Sequence, residues 1–296
     1  MSILRSNPAT STKGRVAQKR RPAALQILIR VWKSISADNI SLLAAGVAFY
    51  VLLAIFPGLA FIVGMFGLLA DPLQIQQQLL HVKDVLPEEA WNAINTQLVA
   101  LMQQSSTSLS LASIIGLLLA FINARLGAYA MMGALNVVYK CNETRSFART
   151  NFIAFLFTIA AICILTFNIY AVVAVPEVLK KLGFVELSSS IIHTLRWPVL
   201  ALLMTLSLAL VYRYGPDRKH ADWRWLFVGS LAATALWLAG SSAFSWYVAA
   251  FNSYDKIYGS FGAVVILLYW LWLTAFAALL GAELDMQIET TLEERK

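Results

Sequence analysis

A few polar residues stand inside text that is otherwise apolar, and any chemistry must start from them. Asn123 and Arg125 lie within the apolar stretch 111–138, and Asn136 and Tyr139 close that stretch one helical turn apart. Glu283 and Asp285 follow about 25 apolar positions, 258–282. An arginine at the centre of a bilayer costs ~2.5–3.5 kcal/mol even on the mildest scale, so such a residue faces protein or water and is by default functional. The chemistry open to this set is recognition rather than bond cleavage. A guanidinium holds an anion or a carboxylate, and Asn and Tyr hydrogen-bond across helices. Candidate partners for Arg125 are Glu283, Asp285 and Asp38. Each residue also has a plainer reading. Arg125 can snorkel to the headgroups on its long stem, Asn136 and Tyr139 can tie their helix to a neighbour, and Glu283 can pair with a basic loop residue.

Catalytic chemistry finds no such starting point. A metal-dependent nuclease needs clustered His and Asp ligands, whereas His81, His193 and His220 are far apart in sequence. No glycine-rich phosphate loop is present. Cys141 and Cys163 are isolated, which excludes a disulfide framework or a zinc pattern. No catalytic residue, metal site or cofactor is expected.

The elements that hold these residues are membrane helices. Of 296 residues, 59% are hydrophobic and 13% charged, about half the charge of a soluble domain; mean hydropathy is +0.68. Residues 1–22 are polar and basic, with no apolar core that would make them a signal peptide, and read as a disordered tail. In 23–37, Leu25, Leu28, Ile29, Trp32 and Ile35 form one stripe, which predicts an amphipathic helix in the membrane interface. Its basic flanks favour an anionic leaflet.

Six spans follow within a single membrane unit, 38–289, at about 40–70, 111–138, 152–175, 191–212, 226–250 and 258–282; residues 290–296 are read as a tail. Pro57-Gly58 lies inside the first span, which is longer than a straight crossing and should be kinked there. Between Asp71 and Ser110, Pro87 with Glu88 and Glu89 starts a helix carrying Trp91, Ile94, Leu98 and Leu101 on one face, so amphipathic helices should cover the outer side. Ala44, Ala45, Ala48, Gly64 and Gly67, the pairs Gly229/Ala233 and Ala235/Ala239, and Gly259, Gly262 and Gly281 are small residues where helices can approach closely.

Charge fixes the expected orientation. Of the 23 Lys and Arg, 17 fall on the two ends and the loops 139–151 and 213–224, and 4 on the opposite loops. The positive-inside rule places both termini in the cytoplasm. It also accounts for the net charge of +7 without nucleic acid; the expected partner is the phospholipid bilayer, with anionic lipids among its components.

The texts DNISLLAAGVAFYVLLAIFPGL, ALNVVYKCNETRSF and YGSFGAVVILLYWLWLTAFAALLGAEL carry a resemblance. They resemble, in order, the motifs of the YihY/BrkB family of bacterial inner-membrane proteins, over nearly all of 38–283. The resemblance implies an all-α, six-helix protein of the inner membrane. It implies little chemistry, since the family is linked to envelope integrity, serum resistance and transport, and its ribonuclease BN label has no support in these residues. The motif positions are Asp38, Tyr50, Pro57, Asn136, Tyr139, Glu143, Arg145, Tyr258, Gly259, Ser260, Gly262, Gly281 and Glu283. The glycines and Pro57 read as packing and kink positions, and Glu143 with Arg145 as an ion pair. A carboxylate near the end of a helix is disfavoured by the dipole, so Glu283 should find a cation, Arg125 or Arg145. The resulting expectation is a permease or lipid- and anion-handling transporter that works without ATP, with a polar pathway near Asn123 and Arg125. The alternative is a non-transporting scaffold that organises the envelope.

Overall fold

The computed structural model describes residues 23–69, 91, 92, 95, 96, 99, 109–181, 189–218, 223–250 and 261–294. The tail 1–22, the outer helices expected between 71 and 110 apart from a few positions, the turn 251–257 and Gly259 lie outside the described residues. Seven long helices are found, with no strand among the described residues: α1 (Ala23–Ala37), α2 (Ile40–Leu69), α3 (Leu109–Val138), α4 (Phe147–Lys181), α5 (Ser189–Tyr214), α6 (Trp223–Ala250) and α7 (Phe261–Glu293). A helix satisfies its own backbone, which hydrocarbon demands. Among the described residues, four stretches are long and apolar enough to cross a membrane: Leu118–Val138, Phe147–Ile164, Trp223–Ala250 and Gly262–Leu292. The bent pair α1–α2 gives a fifth at most, and the described apolar part of α5, Pro198–Tyr214, is shorter.

Helix α2 is helical through Pro57. Ahead of it the chain turns by 62° between Leu25–Ala37 and Ile40–Ile55, where Asn39 adopts a left-handed φ of 51°. Asparagine is one of the few residues that tolerates this region.

Helix α7 is the hub and contacts α1, α2, α3 and α6. The core gathers Ile40, Ala44 and Val47 of α2, Leu135 and Val138 of α3, Tyr212 of α5, Leu226 and Ala233 of α6, and Leu279 and Ala282 of α7. Small residues set the closest approach. A Cβ added to Gly281 would lie 2.5 Å from the Gly229 carbonyl oxygen and 2.5 Å from the Ala233 Cβ, and one added to Gly229 would lie 2.6 Å from the Gly281 carbonyl. Helices α6 and α7 therefore cross backbone to backbone. Ala235 is exposed, as are Ala239 and Ala45. The helical period carries Ala235 and Ala239 well away from the face of Gly229 and Ala233. Polar ties supplement the packing: Trp237 Nε1 donates to Thr274 Oγ1 at 3.0 Å, Trp272 Nε1 to the Ser41 carbonyl at 3.1 Å, and Thr205 Oγ1 to Thr234 Oγ1 at 3.0 Å.

Helix α1 turns most of its apolar stripe away from the bundle. Leu28 and Trp32 are 61% and 76% exposed, while Ile35 packs on the core. Arg30 Nη2 meets Glu294 Oε2 at 2.8 Å, and Gln287 Nε2 donates to Ser34 Oγ at 3.4 Å. These contacts hold α1 against the final turns of α7.

Candidate functional site: a charged layer at one end of the bundle

Helix α7 continues well past Ala282, to Glu293. Glu283 and Asp285 thus lie within the helix rather than at its end, and the dipole argument for a cation at Glu283 loses its basis. Both are enclosed, at 0% exposure. Gln287, one turn on, donates to Glu283 Oε1 at 2.7 Å, and Glu283 Oε2 has no hydrogen-bond partner among the described residues. Neither expected cation reaches it. Arg125 Nη1 donates to Asn151 Oδ1, because Arg125 lies on the side of α3 that faces the first turns of α4. Arg145 is taken by Glu143, two residues away, at 2.6 Å. The charges in the field of Glu283 are Asp38 and Lys140.

Tyr139 joins α3 to this layer by donating to Asp285 Oδ2 at 2.8 Å. Its ring lies under Arg218, whose Cζ is 3.9 Å from the ring centroid. Arg218 Nη1 donates to Glu289 Oε2 at 3.2 Å, and Nη2 stands 3.5 Å from Asp285 Oδ2. The side chains of Arg218 and Asp285 are 9% and 1% exposed. Arg218 Nε and Nη2 and Asp285 Oδ1 nevertheless lack hydrogen-bond partners among the described residues, as does Asp38 Oδ2. The layer is a set of buried charges whose bonds are not all closed.

The backbone that delivers these groups follows from local sequence. At the end of α3, Cys141 N–H bonds to the Asn136 carbonyl at 2.8 Å and Lys140 N–H to that of Val137 at 3.1 Å, with Lys140 at φ 53°. This is a left-handed helix cap of the Schellman type, formed here without glycine. It turns Tyr139 inward and sends 141–146 against the segment 215–217 that follows α5. Helix α5 ends at Gly215-Pro216, both buried. A Cβ on Gly215 would lie 2.7 Å from Leu135 Cδ1, so glycine lets the chain pass against α3 and bring Arg218 over Tyr139.

A second, more open network sits beside the first. Asn136 Nδ2 donates to Glu143 Oε2 at 2.9 Å, and its Oδ1 accepts from Asp217 N–H at 2.7 Å. Asp217 Oδ2 accepts from Thr144 N–H at 2.8 Å and Thr144 Oγ1 at 2.6 Å. Arg145 Nη2 donates to the Gly215 carbonyl at 3.3 Å. Hydrogen bonds from Arg145 hold the Glu143 carboxyl below its usual range, and those from Thr144 do the same for Asp217.

Of the residues singled out in the sequence, Asn136, Tyr139 and Glu283 gather at this end. Asn123 does not, since its Nδ2 donates to the Leu119 carbonyl of its own helix at 2.9 Å, and Arg125 binds Asn151. Gly281 marks the α6 crossing, Gly262 is buried in α7, and the side chain of Pro57 is outside the described residues. Arg218, Glu289 and Gln287 were not legible as site residues. The one signal was spacing, because Gln287 falls one turn beyond Glu283. Among the described residues no three His, Cys, Asp or Glu side chains gather as metal ligands.

Comparison with known proteins places this arrangement. The chain is similar to the ribonuclease-like protein YfkH of Bacillus subtilis, 27% identical over 250 residues that cover 82% of this chain and 87% of that one. It is similar to a UPF0761 membrane protein of Cronobacter sakazakii, 27% identical over 282 residues, 94% and 93% of the two chains. The UPF0761 membrane protein YihY of Salmonella arizonae is 32% identical over 173 residues, 56% of each chain. No solved structure matches. The sequence pattern of the family described as Virulence factor BrkB matches residues 31–296, which covers α2 to α7, the second half of α1 and the whole charged layer, and the chain belongs to that family of membrane proteins.

Proposed function

We propose that this is a six-span protein of the bacterial inner membrane, with both ends in the cytoplasm, that moves or hands on an anionic lipid without ATP. The observation that carries the reading is the charged layer. Glu283, Asp285 and Arg218 are kept inside a helical bundle with bonds left open among the described residues. Truncating one partner of a buried pair costs ~3–5 kcal/mol, and charges at such sites mark ion or substrate paths by default. Groups that exchange partners during a cycle have open valences in any one conformation. The span count draws support from the Arg30–Glu294 contact. It holds the first and last helices together at one end, as an even number of crossings requires. The charged layer replaces Asn123 and Arg125 as the working element. The reading is non-enzymatic; the ribonuclease-like name belongs to YfkH, and its support here would be a ligand cluster.

The test is the full chain in vesicles of phosphatidylethanolamine and phosphatidylglycerol, with translocation of a fluorescent phosphatidylglycerol followed by dithionite quenching. The expected result is acceleration by the native chain, a loss of tenfold or more in Arg218→Gln and Glu283→Gln, and little change in Arg125→Leu. Native chain no faster than empty vesicles would overturn transport. The scaffold reading would then stand, favoured by Asn123 and Arg125 being tied to α3 and α4 rather than lining a path.

A further inference from the structure

Between α4 and α5 lies a cavity of about 480 Å³. Its α4 wall is Ile153, Leu156, Phe157, Ala160, Ala161 and Ile164, and its α5 wall is Leu210, Val211 and Tyr214. The α4 residues fall at i, i+3, i+4, i+7, i+8 and i+11, one continuous helical stripe. Ala160 and Ala161, set between the bulkier Phe157 and Ile164, make the hollow. The wall is apolar throughout and open at the surface, with Leu156 and Tyr214 more than half exposed. From Ile153 to Ile164 it runs for about 16 Å, half of a hydrocarbon core of ~30 Å, which is the depth of one leaflet. The volume lies in the range of clefts that hold small molecules, ~300–1,000 Å³.

One end of the cavity is basic. Arg149, exposed, lies one turn before Ile153 on the same stripe. Arg213 precedes Tyr214, with its guanidinium stacked 4.8 Å from the Trp223 ring centroid and 5.8 Å from that of Tyr214. Asp217, whose Oδ2 is already taken by Thr144, lies in the field of Arg149.

We infer that the α4–α5 cavity is a binding site for one anionic phospholipid, with an acyl chain along the α4 stripe and the phosphate at Arg149, Arg213 being engaged by the Trp223 ring. An apolar slot of single-leaflet depth selects an acyl chain. A cation one turn before Ile153 selects a negative headgroup and sets it at that end. The site goes beyond the transport reading and needs only that α4 and α5 face lipid, so it stands or falls apart from any flux measurement.

The test is native mass spectrometry of the full chain in detergent, supplied with equal amounts of palmitoyl-oleoyl phosphatidylglycerol and phosphatidylcholine. The native chain should retain one phosphatidylglycerol per chain with about fivefold preference, the effect of one cation at a membrane surface. Arg149→Gln should remove that preference, Arg149→Lys should restore it, and Ala160→Trp should expel the lipid by filling the slot. Unfolding temperature of each variant in lipid-free detergent shows that it is folded; if Ala160→Trp is not, the Arg149 pair decides the matter. Equal retention of the two lipids by the native chain would overturn the inference. So would a preference that survives Arg149→Gln, or a lipid-free dimer that Ala160→Trp dissociates, which would mean that a second copy fills the slot.

Discussion

Replacing Gly281 by alanine tests the close crossing of α6 and α7. The new Cβ would lie 2.5 Å from the Ala233 Cβ, 2.5 Å from the Gly229 carbonyl oxygen and 2.8 Å from the Tyr212 hydroxyl. Carbon atoms rest at ~3.5–4.0 Å, so the helices must part by about 1 Å or more. Two of the atoms belong to the backbone and Cβ of α6, and the third, the Tyr212 hydroxyl of α5, is held by its bond to the Ala278 carbonyl. Overpacking of this kind costs ~1–3 kcal/mol. At roughly 2–4 °C per kcal/mol for a chain of this size, a cost of about 2 kcal/mol lowers the unfolding temperature by ~6 °C. The Tyr212 bond to the Ala278 carbonyl would weaken with it. The assay is thermal unfolding of the purified chain in one detergent, followed by tryptophan fluorescence. The control is Gly46→Ala, where nothing lies within 4 Å of the added Cβ. Alanine raises helix propensity by up to ~1 kcal/mol, so Gly46→Ala should hold or raise the temperature. If Gly281→Ala unfolds no lower than Gly46→Ala, the helices do not cross as described.

Two further outcomes follow from the cap and the open network. Lys140 sits at φ 53°, so Lys140→Gly should raise stability by about 0.5–1 kcal/mol and Lys140→Val should lower it by a similar amount, as read by the same melts. The carboxyls of Glu143 and Asp217 titrate below their usual range in the fold. Their contribution is therefore complete above the unfolded values, ~4, and is lost as pH falls through the depressed ones. Thr144→Val removes one bond to Asp217 and should lower the unfolding temperature of the chain by a constant amount from pH 5 to 7. That difference should shrink below pH 4. A difference that grows on acidification would contradict the assignment.

How much of this was open to reading depended on the kind of signal. Apolar runs of about 20 or more residues mark helices because a single segment of that length can satisfy its own backbone in hydrocarbon only as a helix, and the runs at 111–138 and 226–250 correspond closely to α3 and α6. Gly281 and Gly229 were readable because close packing needs small residues wherever it occurs. Ala235 and Ala239 have the same spacing and face outward, since spacing alone does not say which side of a helix has a neighbour. Arg218 was hidden for a different reason. In RYGPDRKH it looks like any cation of a cytoplasmic loop, and only the buried Gly215-Pro216 turn carries it over Tyr139. Arg125 drew attention as a charge within an apolar run, yet its partner is Asn151 at the start of α4, a neutral residue that no argument from charge would select.

The place of α7 in the chain has a consequence for biogenesis. The partners of Tyr139, Tyr212, Arg218, Ser34 and Arg30 all lie between Ala278 and Glu294. While the polypeptide emerges from the ribosome, each of these groups enters the bilayer or its border with its partner still unmade. The nascent chain therefore passes through a stage in which several helices are inserted but their polar groups are exposed to lipid or to the insertion machinery. A chain truncated ahead of Ala278 would be fixed in that stage and recognisable to membrane proteases as unfinished, whereas completion of α7 closes the whole set at once.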